Sequence, residues 1–239
     1  MLKRFLIRII NFLGFDIYKK PGKFYTNKLN LLDKYQINCI LDVGANEGQY
    51  AEKLRKYGYS GKIISFEPQL NTFIKLSDKI KNDNNWTAYH FALGAENTVA
   101  ELNISENTES SSLLEIREIH VETAPAAKYV GKETITLKKL DNVYNDLELQ
   151  TQNVFLKIDT QGFEMEVLKG AEHILDKITG LQLEMSIVPM YAQEILFDEM
   201  IVYLKERNFV LYQMEASLVD ERTGRLLQFD GIFFKENNQ

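Results

Sequence analysis

The sequence is poor in cysteine, proline and positive charge, and each shortage excludes a class of protein. Cys39 is the one cysteine among 239 residues, so no disulfide can form within the chain, and a reducing compartment is favoured. Cys39 leads into an apolar run and is expected to be a buried structural thiol. The four prolines form no linker between domains. The formal net charge of −6 gives no basic stripe for phosphates, so we expect no nucleic-acid partner.

Residues 1–20 lack the length and the uninterrupted apolar core of a transmembrane helix or a signal peptide. Their apolar residues nevertheless fall on one face of a predicted helix: Leu2, Phe5, Leu6, Ile9, Ile10 and Leu13. Six cations and one anion lie within residues 1–24. The helix either packs on its own domain or lies on an anionic membrane surface, with Phe5 and Phe12 as anchors. We therefore expect a cytoplasmic protein, which the second interpretation places at the inner face of the membrane.

The rest of the chain alternates strands and helices, which predicts a parallel sheet covered on both faces. We assign residues 1–37 to the N-terminal helix and lead-in, and residues 38–239 to one α/β domain. The predicted strands cover residues 38–43, 62–67, 86–93, 154–159, 181–185, 209–213 and 231–235, and the predicted helices cover 49–57, 70–80, 165–178 and 189–207. The last two strands suggest an antiparallel hairpin at one edge.

An insert at about residues 96–150 breaks this rhythm. Residues 99–104 and 134–137 alternate like a half-buried pair of strands, and a polar stretch lies between them. Long inserts are often lids or substrate loops, and the alternative is a surface excursion without chemistry. We expect residues 105–132 to determine which substrate the protein uses.

A glycine loop, Gly44-Ala-Asn-Glu-Gly48, follows the first strand and precedes a helix. Glycine lets a ligand approach the backbone closely, but the third glycine of the dinucleotide fingerprint is absent. Asp42 and Glu47 stand beside the loop, where acids suit a cationic ligand better than a pyrophosphate. The loop therefore favours S-adenosylmethionine, which carries a sulfonium and an ammonium, over NAD.

Two further acids end strands on the expected ligand side of the sheet. Glu67 follows the glycine loop by about twenty residues, where a carboxylate can accept hydrogen bonds from both ribose hydroxyls. Its alternative role is that of a solvated acid before a turn. Asp159 ends the fourth strand, and Gly162 permits the turn that follows. Glu164 lies near the start of the next helix, where an anion is favoured, so it either reaches the site or only caps the helix.

Several segments together resemble the FkbM-type methyltransferases: Leu41–Gly48, Phe66-Glu-Pro68, Ala92-Leu-Gly94, Leu140-Asp141, Lys157–Glu164 and Val167–Gly170. The resemblance covers roughly residues 38–235 and implies a class I, Rossmann-like fold with a mostly parallel seven-stranded sheet. It also implies that the cofactor is S-adenosylmethionine and that it is bound by Asp42, Gly44, Asn46, Gly48, Glu67, Pro68, Ala92 and Leu93. Asp159 and Glu164 would face the reacting end. The chain departs from the family at Gln161, where many members have glutamate, which would weaken or alter the site.

The family usually methylates oxygen and is often associated with surface polysaccharides, so we expect O-methylation of a hydroxyl on a sugar, glycolipid or other small-molecule acceptor. Two alternatives remain: a catalytically inactive S-adenosylmethionine-binding scaffold, and an NAD-dependent oxidoreductase. An alcohol acceptor must lose a proton, and Asp159 is the first candidate for its base or orienter. His120 lies in the insert and could swing over the site as a base. No metal is expected, because no spacing typical of metal ligands supports one.

Overall fold

The computed structural model describes residues 22–150 and 152–236. The strands are β1 (Cys39–Val43), β2 (Lys62–Phe66), β3 (Trp86–Tyr89), β4 (Ala92–Leu93), β5 (Thr98–Ser105), β6 (Tyr129–Lys138), β7 (Val154–Ile158), β8 (Ile178–Ser186), β9 (Phe209–Asp220) and β10 (Arg225–Lys235). The α-helices are α1 (Lys23–Lys34), α2 (Gln49–Lys56), α3 (Leu70–Ile80), α4 (Glu118–Thr123), α5 (Leu140–Val143), α6 (Glu164–Lys169) and α7 (Phe197–Lys205). The predicted helix in residues 1–20 lies outside the described residues.

The main sheet has the strand order β3-β2-β1-β7-β8-β10-β9. The neighbouring strands β3, β2, β1, β7 and β8 run parallel, while β10 pairs antiparallel with both β8 and β9. The predicted mostly parallel seven-stranded sheet with an antiparallel edge hairpin is therefore confirmed. The chain order reverses between β1 and β7, and ligands of such sheets bind beyond the carboxyl ends of the strands at this switch point.

Helices cover both faces of the sheet, as the apolar runs of β1 and β7 require. On one face, Leu32 of α1, Leu54 of α2 and Leu76 of α3 pack in a single apolar cluster with the sheet. On the other face, Leu168 of α6 and Leu204 of α7 belong to a second and larger cluster. This second cluster also contains Cys39, whose thiol is buried as expected. Among the described residues, no helix is long and apolar enough to cross a membrane.

The insert forms a second sheet with the strand order β4-β6-β5. The prediction of one strand over residues 86–93 is therefore wrong, because β3 joins the main sheet and β4 joins the small one. The chain bends between them at Phe91, whose ring packs against Phe66 with the ring centres 5.5 Å apart. Between β5 and β6, residues 106–128 return over the main sheet, and we call them the insert loop. This loop carries α4.

The predictions for the helices differ from the structure at three places. Helix α1 was not predicted. Helix α6 ends at Lys169 instead of continuing to residue 178, and the next residue, Gly170, lies so close to the Gly94 carbonyl that a β-carbon there would overlap it. The predicted helix from Pro189 is wrong, because α7 begins only at Phe197. Residues 187–196 instead form a loop that is held by hydrogen bonds to one carboxylate, that of Glu194.

Candidate active site

The carboxyl ends of β1, β2 and β7 open into one cavity of about 600 Å³, which we call the switch-point cleft. It is also lined by β4, by the small sheet and by the insert loop. Six of the residues predicted to bind the cofactor line it: Gly44, Asn46, Glu67, Pro68, Ala92 and Leu93. The whole lining runs from Val43 to Phe163, so the structure brings together residues from about half of the chain. Asp42 and Gly48 do not line the cleft.

The glycine loop after β1 forms the floor of the cleft. Gly44 has φ of 72°, and a β-carbon there would overlap the carbonyl oxygen of Asp159, so glycine alone fits between β1 and β7. Asn46 also has a positive φ, 47°, and its backbone N–H donates to Glu67 at 2.8 Å. Gly48 begins α2 with φ of 85°, and a β-carbon there would meet the Trp86 ring. Gly48 therefore serves the packing of α2.

Glu67 supplies the buried carboxylate of the cleft. One oxygen accepts the N–H of Asn46 and the other accepts the N–H of Gln69, each at 2.8 Å. Burial raises the pKa of the Glu67 carboxyl to about 7, against the lowering effect of these two N–H groups. The wall beyond it is apolar and is formed by Ala92, Leu93, Leu102, Ile135 and Phe163. A carboxylate facing an apolar slot suits a group that is polar at one end and flat and apolar at the other.

Asp42 lies beneath the cleft and is completely buried. It stands directly opposite Lys157 in the β1–β7 register, and its Oδ1 is 3.0 Å from Lys157 Nζ. The same ammonium donates to the Gly44 carbonyl at 3.0 Å. Burial alone would lower the pKa of Lys157, but the carboxylates of Asp42 and Asp159 outweigh it and raise that pKa. This ion pair supports the glycine loop from below, and a direct contact of Asp42 with cofactor stays a prediction.

A second cavity, of about 900 Å³, adjoins the cleft, and we call it the adjoining chamber. Both spaces share Gly44, Asn46, Glu109, Asp159 and Gln161. The chamber floor consists of side chains from four neighbouring strands and the loop after β7: Lys157 of β7, Asp159 of that loop, Glu184 of β8, Ser217 of β9 and Gln228 of β10. Burial and the negative charge of Asp159 raise the pKa of the Glu184 carboxyl well above its ordinary value. The chamber is thus a polar space next to the cleft, with Asp159 at the junction.

His120 belongs to the wall of this chamber. Its side chain is buried, its ring stands edge-on to the Tyr191 ring at 5.2 Å, and its Nδ1 has no hydrogen-bond partner. Burial lowers the pKa of His120 to about 4, so the imidazole is neutral near pH 7. His120 is therefore already in place beside the chamber. Its role as a base stays a prediction.

Glu164 has a different position from Asp159, although both were predicted to face the reacting end. Its carboxylate accepts the N–H groups of Thr160 and Gly162, at 2.8 and 3.2 Å. It lines neither the cleft nor the chamber. Burial raises the pKa of Glu164 to about 7, against the lowering effect of its backbone hydrogen bonds. Its hydrogen bonds hold the loop after β7, and its contact with the reacting groups stays a prediction.

Glu184, Gln228 and Tyr191 were missed as candidates from the sequence. The signal for Glu184 was present, because Gln182 and Glu184 alternate with leucine and methionine in a strand that a covered sheet should make apolar on both sides. Tyr191 had no signal, since its loop was assigned to a helix. Within the described part of the chain, no group of three or more His, Cys, Asp or Glu side chains could hold a metal ion.

Comparison with protein families identifies the family of this chain. A family model described as the methyltransferase FkbM domain matches residues 42–211. The chain belongs to the FkbM methyltransferase family. The predicted family is confirmed, and with it S-adenosylmethionine as the cofactor. No curated protein matches the chain.

Solved structures similar to this FkbM methyltransferase are distant in sequence. An rRNA methylase from Streptococcus thermophilus is 11% identical, with 92% of this chain and 100% of that chain covered and a TM-score of 0.48. Fibrillarin from Aeropyrum pernix, solved with natively bound S-adenosyl-L-methionine, is 9% identical over 82% and 66% of the two chains, with a TM-score of 0.46. Precorrin-6y C5,15-methyltransferase from Geobacter metallireducens is 12% identical over 93% and 95%, with a TM-score of 0.43. At this distance none of them indicates an acceptor.

The residues of the switch-point cleft fit S-adenosylmethionine. Gly44, which lines the cleft, brings the loop after β1 against the Asp159 backbone, so main-chain atoms of both loops form the floor on which a ligand would lie. Glu67 stands where a carboxylate accepts hydrogen bonds from ribose hydroxyls. The dinucleotide fingerprint is incomplete, because Asn46 stands in place of the middle glycine that lets the backbone approach a pyrophosphate. The cleft therefore suits a phosphate-free adenosine cofactor.

Proposed function

We propose that this FkbM methyltransferase methylates a hydroxyl of a polyhydroxylated small acceptor, such as a sugar or the sugar of a glycolipid. The observation that carries the proposal is the adjoining chamber, which has a polar floor and shares Asp159 with the cofactor cleft. Carboxylate, amide and hydroxyl groups of that floor offer both hydrogen-bond donors and acceptors. Such a mixture matches the hydroxyls of a sugar, each of which both donates and accepts.

The charges of the chamber favour an acceptor without phosphate. Lys157 is the one cation among the described residues that line it. Its ammonium is engaged by Asp42 at 3.0 Å and lies 3.6 Å from Asp159. Glu109 and Asp159 add negative charge to the same lining. A phosphate group or a nucleic-acid strand would be repelled there, so we propose a neutral acceptor and no nucleic acid.

Asp159 is the residue to which we assign the acceptor proton. When bound, S-adenosylmethionine supplies an electrophilic methyl group on a sulfonium. The protein must then hold the acceptor hydroxyl in line and remove its proton. Orientation can contribute on the order of 7–11 kcal/mol and a general base roughly 10²–10⁴-fold. Asp159 is the one carboxylate at the end of a main-sheet strand that lines both spaces, and its side chain is 38% exposed towards them.

We assign His120 to acceptor binding. A buried ring nitrogen without a partner is costly, and an acceptor hydroxyl would satisfy it. The lowered pKa of His120, about 4, keeps the ring neutral and makes it a weaker base than an ordinary histidine. Replacement of His120 should therefore raise KM for the acceptor more than it lowers kcat.

The test combines cofactor binding with methyl transfer. Calorimetry with S-adenosylhomocysteine and transfer of labelled methyl into an extract of the source cells are measured for wild type, Asp159→Asn and Asp146→Asn. Asp146 is an exposed acid outside both spaces and serves as the matched control. We expect Asp159→Asn to lose about 10²–10⁴-fold in transfer while it keeps its cofactor affinity. Unchanged transfer would remove Asp159 from the reaction, and tight binding without any transfer by wild type would favour the inactive scaffold.

We also propose that residues 1–20 contact an anionic membrane surface, which would bring the enzyme to a lipid-linked acceptor. The support is their basic amphipathic sequence, because their structure lies outside the described residues. Flotation with anionic liposomes should recover the full chain and lose a chain that starts at Lys23. Equal flotation of the two chains would reject this contact.

A further inference from the structure

Gln161 occupies the junction between the cleft and the chamber. It lies two residues after Asp159 in the loop that follows β7, and its φ is 58°. This left-handed conformation is uncommon for a residue with a β-carbon. The backbone is held there by the insert loop, because the Ser112 hydroxyl donates to the Gln161 carbonyl at 2.7 Å.

The side-chain amide of Gln161 joins two carboxylates and a phenol. Its Nε2 donates to Asp159 Oδ1 at 2.8 Å and to Glu184 Oε2 at 2.7 Å. Its Oε1 accepts from the Tyr191 hydroxyl at 2.7 Å. Both hydrogens of the amide nitrogen are therefore used, and the two carboxylates, which only accept hydrogen bonds, determine which end of the amide is nitrogen.

These bonds fix the carboxylate of Asp159 from two sides. Gln161 holds Oδ1, while Oδ2 lies 3.6 Å from the Lys157 ammonium. Glu184 is held by the amides of Gln161 at 2.7 Å and Gln228 at 3.4 Å and by the Ser217 hydroxyl. Gln161 thus contacts the carboxylates of both Asp159 and Glu184.

The charges around Asp159 make the neutrality of this amide important. Two carboxylates in direct contact share a proton, so that one of them loses its basicity. The titratable groups that face Asp159 and Glu184 from the surrounding elements are Asp42, Glu109, His120, Lys157, Glu164, Tyr191 and Asp230. Lys157 is the one cation among them. A further negative charge between Asp159 and Glu184 would therefore require a proton.

We propose that Gln161 is a positioning residue, whose amide orients the Asp159 carboxylate towards the acceptor hydroxyl and keeps Asp159 and Glu184 apart. It does so because it hydrogen-bonds both carboxylates without adding charge. This inference rests on the proposed function, in which Asp159 receives the proton of the acceptor hydroxyl.

Two substitutions at Gln161 separate the effect of side-chain charge from the effect of side-chain length. Gln161→Glu keeps the length of the side chain but places a third carboxylate between the other two. We expect the acid limb of its pH profile for methyl transfer to move up by about one pH unit or more, with transfer recovering at alkaline pH. Gln161→Asn keeps the amide but is one methylene too short to reach both carboxylates. It should lower kcat without moving the acid limb.

Gln150→Glu is the matched control, because Gln150 is exposed and lies outside both spaces. It should keep the wild-type profile. Thermal unfolding at about pH 5.5 and pH 8.5 gives a readout that needs no acceptor: Gln161→Glu should lose stability towards alkaline pH relative to both wild type and Gln150→Glu. Wild-type transfer with an unshifted profile in Gln161→Glu would overturn the role of Gln161. Absence of transfer by the wild type itself would instead refute the proposed function.

Discussion

The substitution Gly44→Ala tests whether close packing at Gly44 holds the floor of the switch-point cleft in place. The ideal β-carbon at this position would overlap the Asp159 carbonyl oxygen and lie 3.0 Å from its carbonyl carbon. Both atoms belong to the backbone, so no side-chain rotation can relieve the overlap. The loop after β1 or the loop after β7 must move, and both loops line the cleft.

Gly224 provides a control that isolates this overlap from backbone strain. It has φ of 71°, close to the 72° of Gly44, but nothing lies within 4 Å of its ideal β-carbon. A left-handed conformation costs a residue with a β-carbon about 1–2 kcal/mol, and this is the whole cost expected for Gly224→Ala. Overpacking adds about 1–3 kcal/mol at Gly44. We therefore expect the free energy of unfolding to fall by roughly 2–5 kcal/mol in Gly44→Ala.

Urea denaturation measures the free energy of unfolding of both variants, and calorimetry measures their affinity for S-adenosylhomocysteine. Gly44→Ala should bind the ligand more weakly than wild type, because the loops that move line the cleft. Gly224→Ala lies in the turn between β9 and β10 and should keep wild-type affinity. Equal losses of stability in the two variants, or wild-type affinity in Gly44→Ala, would refute the reasoning.

Three further predictions concern buried charges. Burial raises the pKa of Glu67 to about 7, so the affinity of wild type for S-adenosylhomocysteine should rise as the pH passes through 7 and the carboxylate ionises. Calorimetry at several pH values should show weaker and pH-independent binding in Glu67→Gln, and the same slope in both proteins would contradict this. Burial also raises the pKa of Glu164 from its ordinary 4.5 to about 7, so its protonated form stabilises the folded state fully below pH 4.5 and this contribution is lost as the pH rises through 7. Urea denaturation across that range should give a flatter dependence of the unfolding free energy on pH in Glu164→Gln, and an unchanged slope would exclude this linkage. Lys157→Met leaves Asp42 buried without its cation and should lower the free energy of unfolding by about 3–5 kcal/mol. A loss below about 1 kcal/mol, the range of a surface pair, would show that Lys157 does not support Asp42.

The main sheet could be predicted because its central strands are short apolar runs that end in turn residues. Such runs identify buried parallel strands wherever helices separate them. The prediction is wrong where contacts between residues distant in sequence determine the local structure. The chain leaves the main sheet at Phe91, whose ring packs on Phe66, and the local sequence carries no signal for this bend.

The candidate site likewise contains residues whose role the sequence predicts and residues whose role depends on contacts distant in sequence. Gly44, Glu67 and Asp159 could be predicted because each follows a parallel strand, and such strands end at one edge of the sheet. Asp42 had the pattern of a ligand, since an acid two residues before a glycine loop can face the site. In the structure it stands opposite Lys157 across two paired strands, and 115 positions separate them in the sequence. Such a pairing becomes visible only when the neighbour of β1 is known.

The loop after β7 forms the boundary between the cofactor cleft and the adjoining chamber, and it is held from three sides. Gly44 lies against the Asp159 backbone from β1, Glu164 accepts the N–H groups of Thr160 and Gly162, and Ser112 donates to Gln161. Because the loop is held in this way, we expect selection of the acceptor to depend on the parts of the chamber that other elements supply. These are the insert loop, which carries His120, and the polar side chains of β8 to β10.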